Sequence, residues 1–215
     1  MDTSYASTLV IVRQGSKLGD IEAVCFTYTK RTLKQGQVTK SFMSNKFPTE
    51  TGEKGETPWR TALNGARLEL SETPDNLSGF EFRSMGPKGD NDEPKPFLVS
   101  RVRGDPGKSE WHDKIVFLVR STNPDCAQHF RKKELEDGPD ELLGVPEFVE
   151  LSELWRRMGE RGQPFHRAVL YRVIQHFVGT FPKDISPKYQ EIINDPRSQD
   201  KMRSQHGVPI QFIEQ

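Results

Sequence analysis

Cysteine is nearly absent from this chain of 215 residues, which contains only two. Cys25 lies in an apolar run and Cys126 in a polar one, so the pair does not form a disulfide framework. No apolar run approaches the roughly 18 residues of a membrane span, and the amino terminus lacks the basic region of a secretory signal. These absences predict a cytoplasmic protein without a membrane partner.

A net charge is also missing, because 31 Lys and Arg residues balance 31 Asp and Glu residues. The chain as a whole therefore offers no electrostatic reason to expect general nucleic-acid binding. An anionic ligand would have to be held by a local pocket. Hydrophobic residues make up only 33% of the chain and charged residues 29%, so the core must come from a few clear segments.

The order of the predicted elements is several strands, a helix, more strands and then further helices. Residues rich in β-branched and aromatic side chains predict strands at 5–14, 20–30, 42–47, 79–87, 95–104 and 113–122. The polar residues 31–41 predict a loop. Residues 147–158 predict a strand that passes into a helix, with Ser152 as the N-cap.

The most regular helical pattern covers residues 163–178. Phe165, Val169, Val173 and Phe177 follow one i, i+4 row, which predicts a helix packed along that face. A shorter helical pattern follows at 187–195. We therefore expect one domain over residues 1–180 and an extension over residues 181–215 that contains a helix.

Residues 46–73, KFPTETGEKGETPWRTALNGARLELSET, carry the most informative motif. A Phe-Pro pair stands at 47–48, and Gly-Glu-Thr-Pro at 55–58 leads into a predicted helix. This arrangement resembles the Nudix hydrolase family, which has a Phe-Pro pair before its glycine turn and often Gly-Glu-Ser-Pro before its helix. The spacing matches without a gap as far as Ala62.

Beyond Ala62 the chain departs from the Nudix motif. An ungapped comparison places the two turn glycines on Thr49 and Glu50, the Arg-Glu pair on Asn64 and Gly65, the Glu-Glu pair on Leu68 and Glu69, and the closing glycine on Ser71. Of the carboxylates that the family uses, this comparison keeps Glu56 in the loop and Glu69 on the helix.

The resemblance implies a metal site at these carboxylates. In the family, the helix glutamates gather on one face and hold Mg²⁺ against a diphosphate. Glu56 and Glu69 would then hold Mg²⁺ or Mn²⁺ here. A comparison with an insertion instead gives Arg67, Glu69 and Glu72 as a displaced set, with Glu72 as a further metal ligand. A third alternative is that these are solvated helix carboxylates.

Two further groups complete the site that the resemblance implies. Glu141, in an acidic loop before a late strand, corresponds to the family's water-activating glutamate, so Glu69 and Glu141 are the candidate catalytic residues. Basic residues at or near predicted strands are candidates for contacts with the substrate phosphates. These are Arg13, Lys46, Arg83, Arg101 and Arg103.

The resemblance and the element order predict an α/β (α+β) fold, namely a Nudix-like α/β/α sandwich with a mixed central β-sheet. The implied function is a divergent Nudix-type hydrolase that acts on a nucleotide-like diphosphate substrate with a divalent metal. The alternative is a catalytically impaired Nudix-fold module that binds nucleotides or proteins, because Gly65 and Leu68 replace family carboxylates. A homodimer is left open.

Overall fold

The structure is a computed structural model and describes residues 4–34, 37–71, 81–89, 92–103, 111–138, 140–161, 163–200 and 210–213. The strands are β1 (Ser4–Gln14), β2 (Ile21–Lys34), β3 (Gln37–Lys46), β4 (Thr49–Thr51), β5 (Phe82–Ser84), β6 (Leu98–Arg103), β7 (Trp111–Ser121), β8 (Leu135–Gly138), β9 (Glu141–Leu143) and β10 (Glu147–Glu150). The helices are α1 (Pro58–Leu70), α2 (Leu151–Arg161), α3 (Pro164–Thr180), α4 (Pro187–Asn194) and α5 (Pro196–Asp200), with a short 3-10 helix at Cys126–His129.

The chain divides into two compact units. The first contains Met1–Arg13, Phe47–His129 and Ile210–Gln215, and the second contains Gln14–Lys46 and Phe130–Pro209. The segment corresponding to the Nudix motif, apart from its first residue, lies in the first unit. The candidate base Glu141 lies in the second.

The first unit is built around β7. This strand runs parallel to β1 and antiparallel to β5 and β6, while β4 pairs antiparallel with β1. The sheet of this unit is therefore mixed. Helix α1 packs against β4 and β7, and the ring of Trp59 meets the ring of Phe117 edge-on at 5.2 Å.

The apolar runs at the centre of β1 and β7 explain the core of this unit. Residues 9–12 of β1 and 116–119 of β7 are all buried, so neither strand alternates between buried and exposed residues. A continuous apolar run is typical of a strand that is buried on both faces. From α1, Ala62, Ala66 and Leu70 complete this core.

The second unit is an antiparallel sheet packed with helices. β2 pairs with β3, β9 and β10, and β9 pairs with β8. Helix α2 contacts β2, β3 and β10, while α3 and α4 pack together and against α2. The predicted row on α3, namely Phe165, Val169, Val173 and Phe177, is buried as expected.

Two local predictions were wrong. Residues 31–41 are mostly strand, because β2 and β3 pair with each other as far as Lys34 and Gln37. Their polar side chains suggested a loop. Two paired strands, however, satisfy the hydrogen-bonding groups of their backbones whichever side chains they carry. In addition, α2 begins at Leu151, and its cap is Glu150 rather than Ser152, because the Glu150 carboxylate accepts hydrogen bonds from the backbone N–H groups of Ser152 and Glu153.

The predicted α+β class with a mixed sheet is confirmed. Helices α4 and α5 follow residue 180, in the segment predicted as an extension, and the domain boundary itself stays a prediction. Within the described ranges, no helix combines the length and the apolar character that crossing a membrane requires.

Glu150 joins α4 to the rest of the second unit. Besides capping α2, its carboxylate accepts a hydrogen bond from the hydroxyl of Tyr189. It also forms an ion pair with Lys188, whose Nζ lies 3.3 Å from Glu150 Oε1. The Tyr189 hydroxyl also accepts a hydrogen bond from the backbone N–H of Ile21 at 2.9 Å. Because Tyr189 is fully buried, water does not replace the hydrogen bonds of its hydroxyl when they are lost.

We expect Tyr189→Phe to lower the free energy of unfolding by about 1–3 kcal/mol, because it removes one donor from the half-buried Glu150 carboxylate and leaves the backbone N–H of Ile21 without its acceptor. Tyr171→Phe is a matched control, since within the described residues the Tyr171 hydroxyl reaches one acceptor, the Ile193 carbonyl, at a long 3.4 Å. Urea unfolding should show a loss below about 1 kcal/mol for the control. Equal losses in the two variants would contradict the role given to Glu150.

The same carboxylate predicts a pH dependence. Burial alone would raise the pKa of Glu150, but hydrogen bonds from Ser152 and then Tyr189 outweigh it and leave the pKa below its ordinary value of 4.5. The ionised form therefore stabilises the fold above pH 4.5, and this contribution is lost as the pH falls through the folded-state pKa. Glu150→Gln should destabilise the protein at pH 7, and chemical unfolding should show the difference from the native chain shrinking below pH 4.5. A difference independent of pH would contradict this.

Candidate functional site

A glycine turn leads from β4 into α1. Gly55 has a φ of +86°, a left-handed conformation that glycine adopts without strain. Thr57 caps the helix, because its Oγ1 accepts a hydrogen bond from the backbone N–H of Arg60 at 3.3 Å. Pro58 occupies the first helical position, where no amide donor is needed. The predicted helix start at Pro58 is confirmed.

Glu56 is held by two side chains from the first turns of α1. Its carboxylate accepts hydrogen bonds from Thr61 Oγ1 at 2.7 Å and from Asn64 Nδ2 at 2.5 Å. Tyr5 of β1 donates its hydroxyl to the Glu56 carbonyl at 2.7 Å and contacts Thr61 Oγ1 at 3.1 Å. Both carboxylate oxygens of Glu56 therefore have protein donors, and the loop is anchored to β1 and α1.

Glu69 lies in the last turn of α1 and is only 8% exposed. Its Oε2 accepts a hydrogen bond from the backbone N–H of Thr49 at 3.0 Å, at the start of β4. Hydrogen bonds between a backbone N–H and a carboxylate are among the stronger ones in proteins. Glu69 therefore fastens the end of α1 to β4.

Between these two attachments, α1 packs against β4 with no space for a side chain at Gly65. A Cβ placed on Gly65 would lie 2.7 Å from the Cβ of Glu50 and 3.3 Å from its backbone nitrogen. In the ungapped comparison with the Nudix motif, Gly65 replaces a helix glutamate and Glu50 replaces a turn glycine. These two departures from the motif are therefore in direct contact, and a side chain at one position excludes a side chain at the other.

A cavity of about 360 Å³ borders this contact. It is lined by Glu50, Thr51, Glu53, Glu56, Asn64, Arg67 and Leu68. Three carboxylates face one guanidinium group, so the charge of the lining is negative. The Glu50 carboxylate accepts a hydrogen bond from the backbone N–H of Thr51 at 2.9 Å.

The carboxylates of this region are not gathered into a ready set of metal ligands. Mg²⁺ prefers oxygen ligands in near-octahedral geometry, of which one or two are usually protein carboxylates and the others waters or substrate phosphates. In the part of the chain that the structure describes, no group of three or more His, Cys, Asp or Glu side chains is placed to hold a metal. Glu56 and Glu69 accept hydrogen bonds from the protein, while Gly65 and Leu68 bring no oxygen from their side chains. Glu72 lies outside the described residues.

The candidate base Glu141 lies in β9, opposite Lys30 of β2. Tyr28 donates its hydroxyl to Glu141 Oε1 at 2.6 Å, and Lys30 Nζ donates to the same oxygen at 3.2 Å. The hydrogen bond from Tyr28 is the largest cause that holds the pKa of Glu141 below its ordinary value, while burial acts in the opposite direction. A carboxylate with a lowered pKa is a weaker base, and the catalytic role of Glu141 stays a prediction.

Lys46, one of the predicted phosphate ligands, is buried at the end of β3. Its Nζ lies 5.2 Å from the centre of the Phe26 ring and 4.9 Å from that of Tyr28. These distances are typical of cation–π contacts, which stabilise a lysine away from solvent. Lys46 is thus part of an aromatic cluster on the sheet of the second unit.

The other predicted phosphate ligands lie along strands of the first unit. Arg13 is in β1, Arg83 is exposed in β5, and Arg101 in β6 forms two hydrogen bonds with Asp113 at 2.7 and 3.2 Å. Arg103 is described only by its backbone in β6. The predicted ligands whose side chains are described do not line the cavity, whereas Arg67 does. The contacts of all five with phosphate stay predictions.

Several residues that shape the cavity were not among the predicted site residues. Glu50, Glu53 and Asn64 line it, and Tyr5 anchors its loop. The sequence did contain a signal for Glu50. Compared with the Nudix motif, glutamate replaces glycine at position 50 and glycine replaces glutamate at position 65. No local pattern could have identified Tyr5, because 51 residues separate it from Glu56.

The chain matches no family model and no curated protein. Solved structures do match it. A Nudix hydrolase from Listeria monocytogenes is 9% identical, with 81% of this chain and 94% of that chain covered and a TM-score of 0.49. The C. elegans Ap4A hydrolase is 14% identical, with 82% of this chain and 98% of that chain covered and a TM-score of 0.43. The Nudix domain of Shewanella oneidensis NrtR in complex with ADP-ribose is 6% identical, with 82% of this chain and 90% of that chain covered and a TM-score of 0.45.

The chain is similar in structure to Nudix hydrolases, the family that the loop motif predicts. At these identities and TM-scores the likeness concerns the fold alone. It does not extend to the substrate or the activity of this chain.

The contact at Gly65 predicts that Gly65→Ala destabilises the protein by about 1–2 kcal/mol, because the new Cβ forces β4 away and this strain exceeds the gain in helix propensity. Gly179→Ala in α3 is a matched control, because a Cβ placed there meets no atom of the described residues within 4 Å beyond the backbone of its own helix. The control should raise the free energy of unfolding by up to about 1 kcal/mol, measured by urea unfolding.

A double variant separates the contact from other effects. In Glu50→Gly, which removes the Cβ that opposes position 65, the further change Gly65→Ala should no longer destabilise the protein. If Gly65→Ala behaves like the Gly179 control in the native background, β4 yields easily and the steric interpretation is wrong.

Proposed function

We propose that this protein is a Nudix-fold binding module that has lost hydrolysis of nucleoside diphosphate derivatives, and that it acts through protein interaction. The observation that carries the proposal is the contact of Gly65 with Glu50. It leaves no space for the helix carboxylate that the Nudix motif places at position 65. The resemblance makes that carboxylate part of the metal site, so its exclusion supports a loss of catalysis.

The surviving carboxylates of the motif support the same proposal. Glu56 accepts hydrogen bonds from Thr61 and Asn64, and Glu69 accepts one from the backbone of Thr49. Each of these bonds joins parts of the loop, α1 and β4. We infer that Glu56 and Glu69 act here as structural residues that hold the loop against the helix.

The charge of the cavity favours a protein partner over a nucleotide. Glu50, Glu53 and Glu56 face it together with Arg67 as the opposing charge. A diphosphate brought there without a neutralising cation would be repelled, since charges of like sign interact strongly across a partly desolvated cavity. A basic side chain of a protein partner would instead be attracted.

The alternative is the divergent hydrolase that cleaves a nucleotide-like diphosphate substrate with Mg²⁺ or Mn²⁺, using Glu56, Glu69 and Glu141. What favours it is that Glu56 borders a cavity of about 360 Å³, a size suited to a small ligand. For either function we propose a cytoplasmic location, which the two free and buried cysteines support.

A hydrolysis assay distinguishes the two functions. The purified chain is incubated with ADP-ribose, Ap4A and other nucleoside diphosphate derivatives, with Mg²⁺, with Mn²⁺ or with a chelator, and nucleoside monophosphate release is measured by chromatography. We expect no release above the metal-free blank for any substrate.

Variants make this result decisive. Metal-dependent release that is lost in Glu69→Gln and kept in Glu191→Gln, a change at an exposed position of α4, would overturn the proposal in favour of the hydrolase. As a second readout, the proposal expects Glu69→Gln to lower the melting temperature by the same amount with and without Mg²⁺, because the residue holds α1 to β4 rather than a metal.

A further inference from the structure

The basic residues of this chain are unevenly distributed, although the chain as a whole carries no net charge. Residues 23–49 contain no Asp or Glu, and most of them form β2 and β3, which pair antiparallel in the second unit. The basic residues of this segment are Lys30, Arg31, Lys34, Lys40 and Lys46. The two strands are therefore a local concentration of positive charge.

The pairing register places three of these lysines on one face of the two strands. Lys30 lies opposite Phe42, and Lys40 lies opposite Thr32. Directly opposed residues share a face, and so do residues two apart along a strand. We call this face the lysine face. It consists of Phe26, Tyr28, Lys30, Lys40, Phe42 and Lys46.

Part of the lysine face is open to solvent. Phe42 is 47% exposed, and the side chain of Lys30 opposite it is 56% exposed. Further along the strands, Tyr28 and Lys46 are buried, and Lys46 Nζ lies 4.9 Å from the centre of the Tyr28 ring. An exposed aromatic ring and an exposed lysine thus lie side by side on a face whose other end is packed.

Glu141 of β9 is an acidic residue that the register brings to this face, where it lies opposite Lys30. Its Oε1 accepts hydrogen bonds from the Tyr28 hydroxyl at 2.6 Å and from Lys30 Nζ at 3.2 Å. These two bonds hold the carboxylate beside Lys30. Its negative charge therefore offsets part of the positive charge of the lysine face.

We propose that the lysine face binds single-stranded nucleic acid, with Phe42 stacking on a base and lysines contacting the phosphates. Proteins that bind single strands combine positive charge with aromatic side chains on which bases stack. The exposed ring of Phe42 among lysines favours bases over an acidic protein surface, because every base has a face on which a ring can stack. The proposal holds whether or not the cavity near α1 has a catalytic function.

The proposal is tested by fluorescence anisotropy on the full chain. The probes are fluorescein-labelled oligodeoxythymidylate and oligouridylate of about 20 nucleotides, longer than the usual site of about 4–16 nucleotides. The two strands separate a DNA ligand from an RNA ligand. We expect binding that weakens as salt rises from about 50 to 200 mM, because phosphate contacts release counterions. Tighter binding of a duplex of the same length would overturn the proposal, since its paired and stacked bases offer Phe42 no face.

Variants on the two faces of β3 separate stacking from general attraction to the protein. Phe42→Ala should weaken binding at least about fivefold, the loss expected for one stacked base. Met43→Ala is the matched control, because Met43 is 46% exposed but lies opposite Thr29 on the other face. It should bind as the native chain does, and so should Phe42→Tyr, which keeps the ring. Equal losses in Phe42→Ala and Met43→Ala would show that Phe42 does not stack on a base and would overturn the proposal.

A charge variant gives a change of opposite sign. Glu141→Gln should tighten binding about twofold to fivefold, because it removes the negative charge beside Lys30. Glu136→Gln is its control, since Glu136 is exposed and its partner Leu142 lies opposite Thr29, on the other face. The control should change the affinity little, because salt screens charges that are farther apart. An unchanged affinity in Glu141→Gln, or no measurable binding of either strand to the native chain at about 50 mM salt, overturns the proposal.

Discussion

The close packing of α1 against β4 at Gly65 is the constraint on which the rest of the candidate site depends. In this packing the Cβ of Glu50 lies against α1, at the point where any residue other than glycine at position 65 would place its own Cβ. The hydrogen bond from Thr49 to Glu69 holds the same two elements together one turn later. The residues that line the cavity come from β4, the loop that follows it and α1, around this contact. A different residue at position 65 would therefore alter the whole site.

The two halves of the segment that resembles the Nudix motif contribute differently to the fold and to the candidate site. The loop half provides the turn, the cap and the proline that start α1. In the helix half, Gly65 and Glu69 contact β4, whereas Asn64, Arg67 and Leu68 line the cavity. Fold and function are separable for this reason. The proposed loss of hydrolysis is one consequence of that separation.

The second unit shows the same reuse of carboxylates for structure. Glu150 caps α2 and receives the hydroxyl of Tyr189 from α4, so one side chain connects three elements. Glu141 is likewise held by Tyr28 and Lys30 on the neighbouring strand. Acidic residues that are conspicuous in the sequence are therefore often engaged by neighbours that are distant along the chain.

Local patterns in the sequence predicted much of the fold. The buried runs of β1 and β7, the row of apolar residues on α3 and the start of α1 at Pro58 follow from periodicity, propensity and capping, which act over a few residues. The polar strands after residue 30 were missed, since pairing between strands can stabilise segments whose composition predicts a loop.

Local patterns in the sequence are enough to predict the α+β class, the helix that carries the motif and the list of carboxylates that remain in it. What those carboxylates contact depends on how distant parts of the chain pack together. Glu56 meets Asn64, Glu69 meets Thr49, and Glu50 lies over Gly65 because β4 and α1 pack at a distance that no local pattern encodes. Composition and spacing report which groups are present, whereas burial and hydrogen bonding, which depend on residues far apart in the chain, decide whether a group holds the fold or faces a ligand.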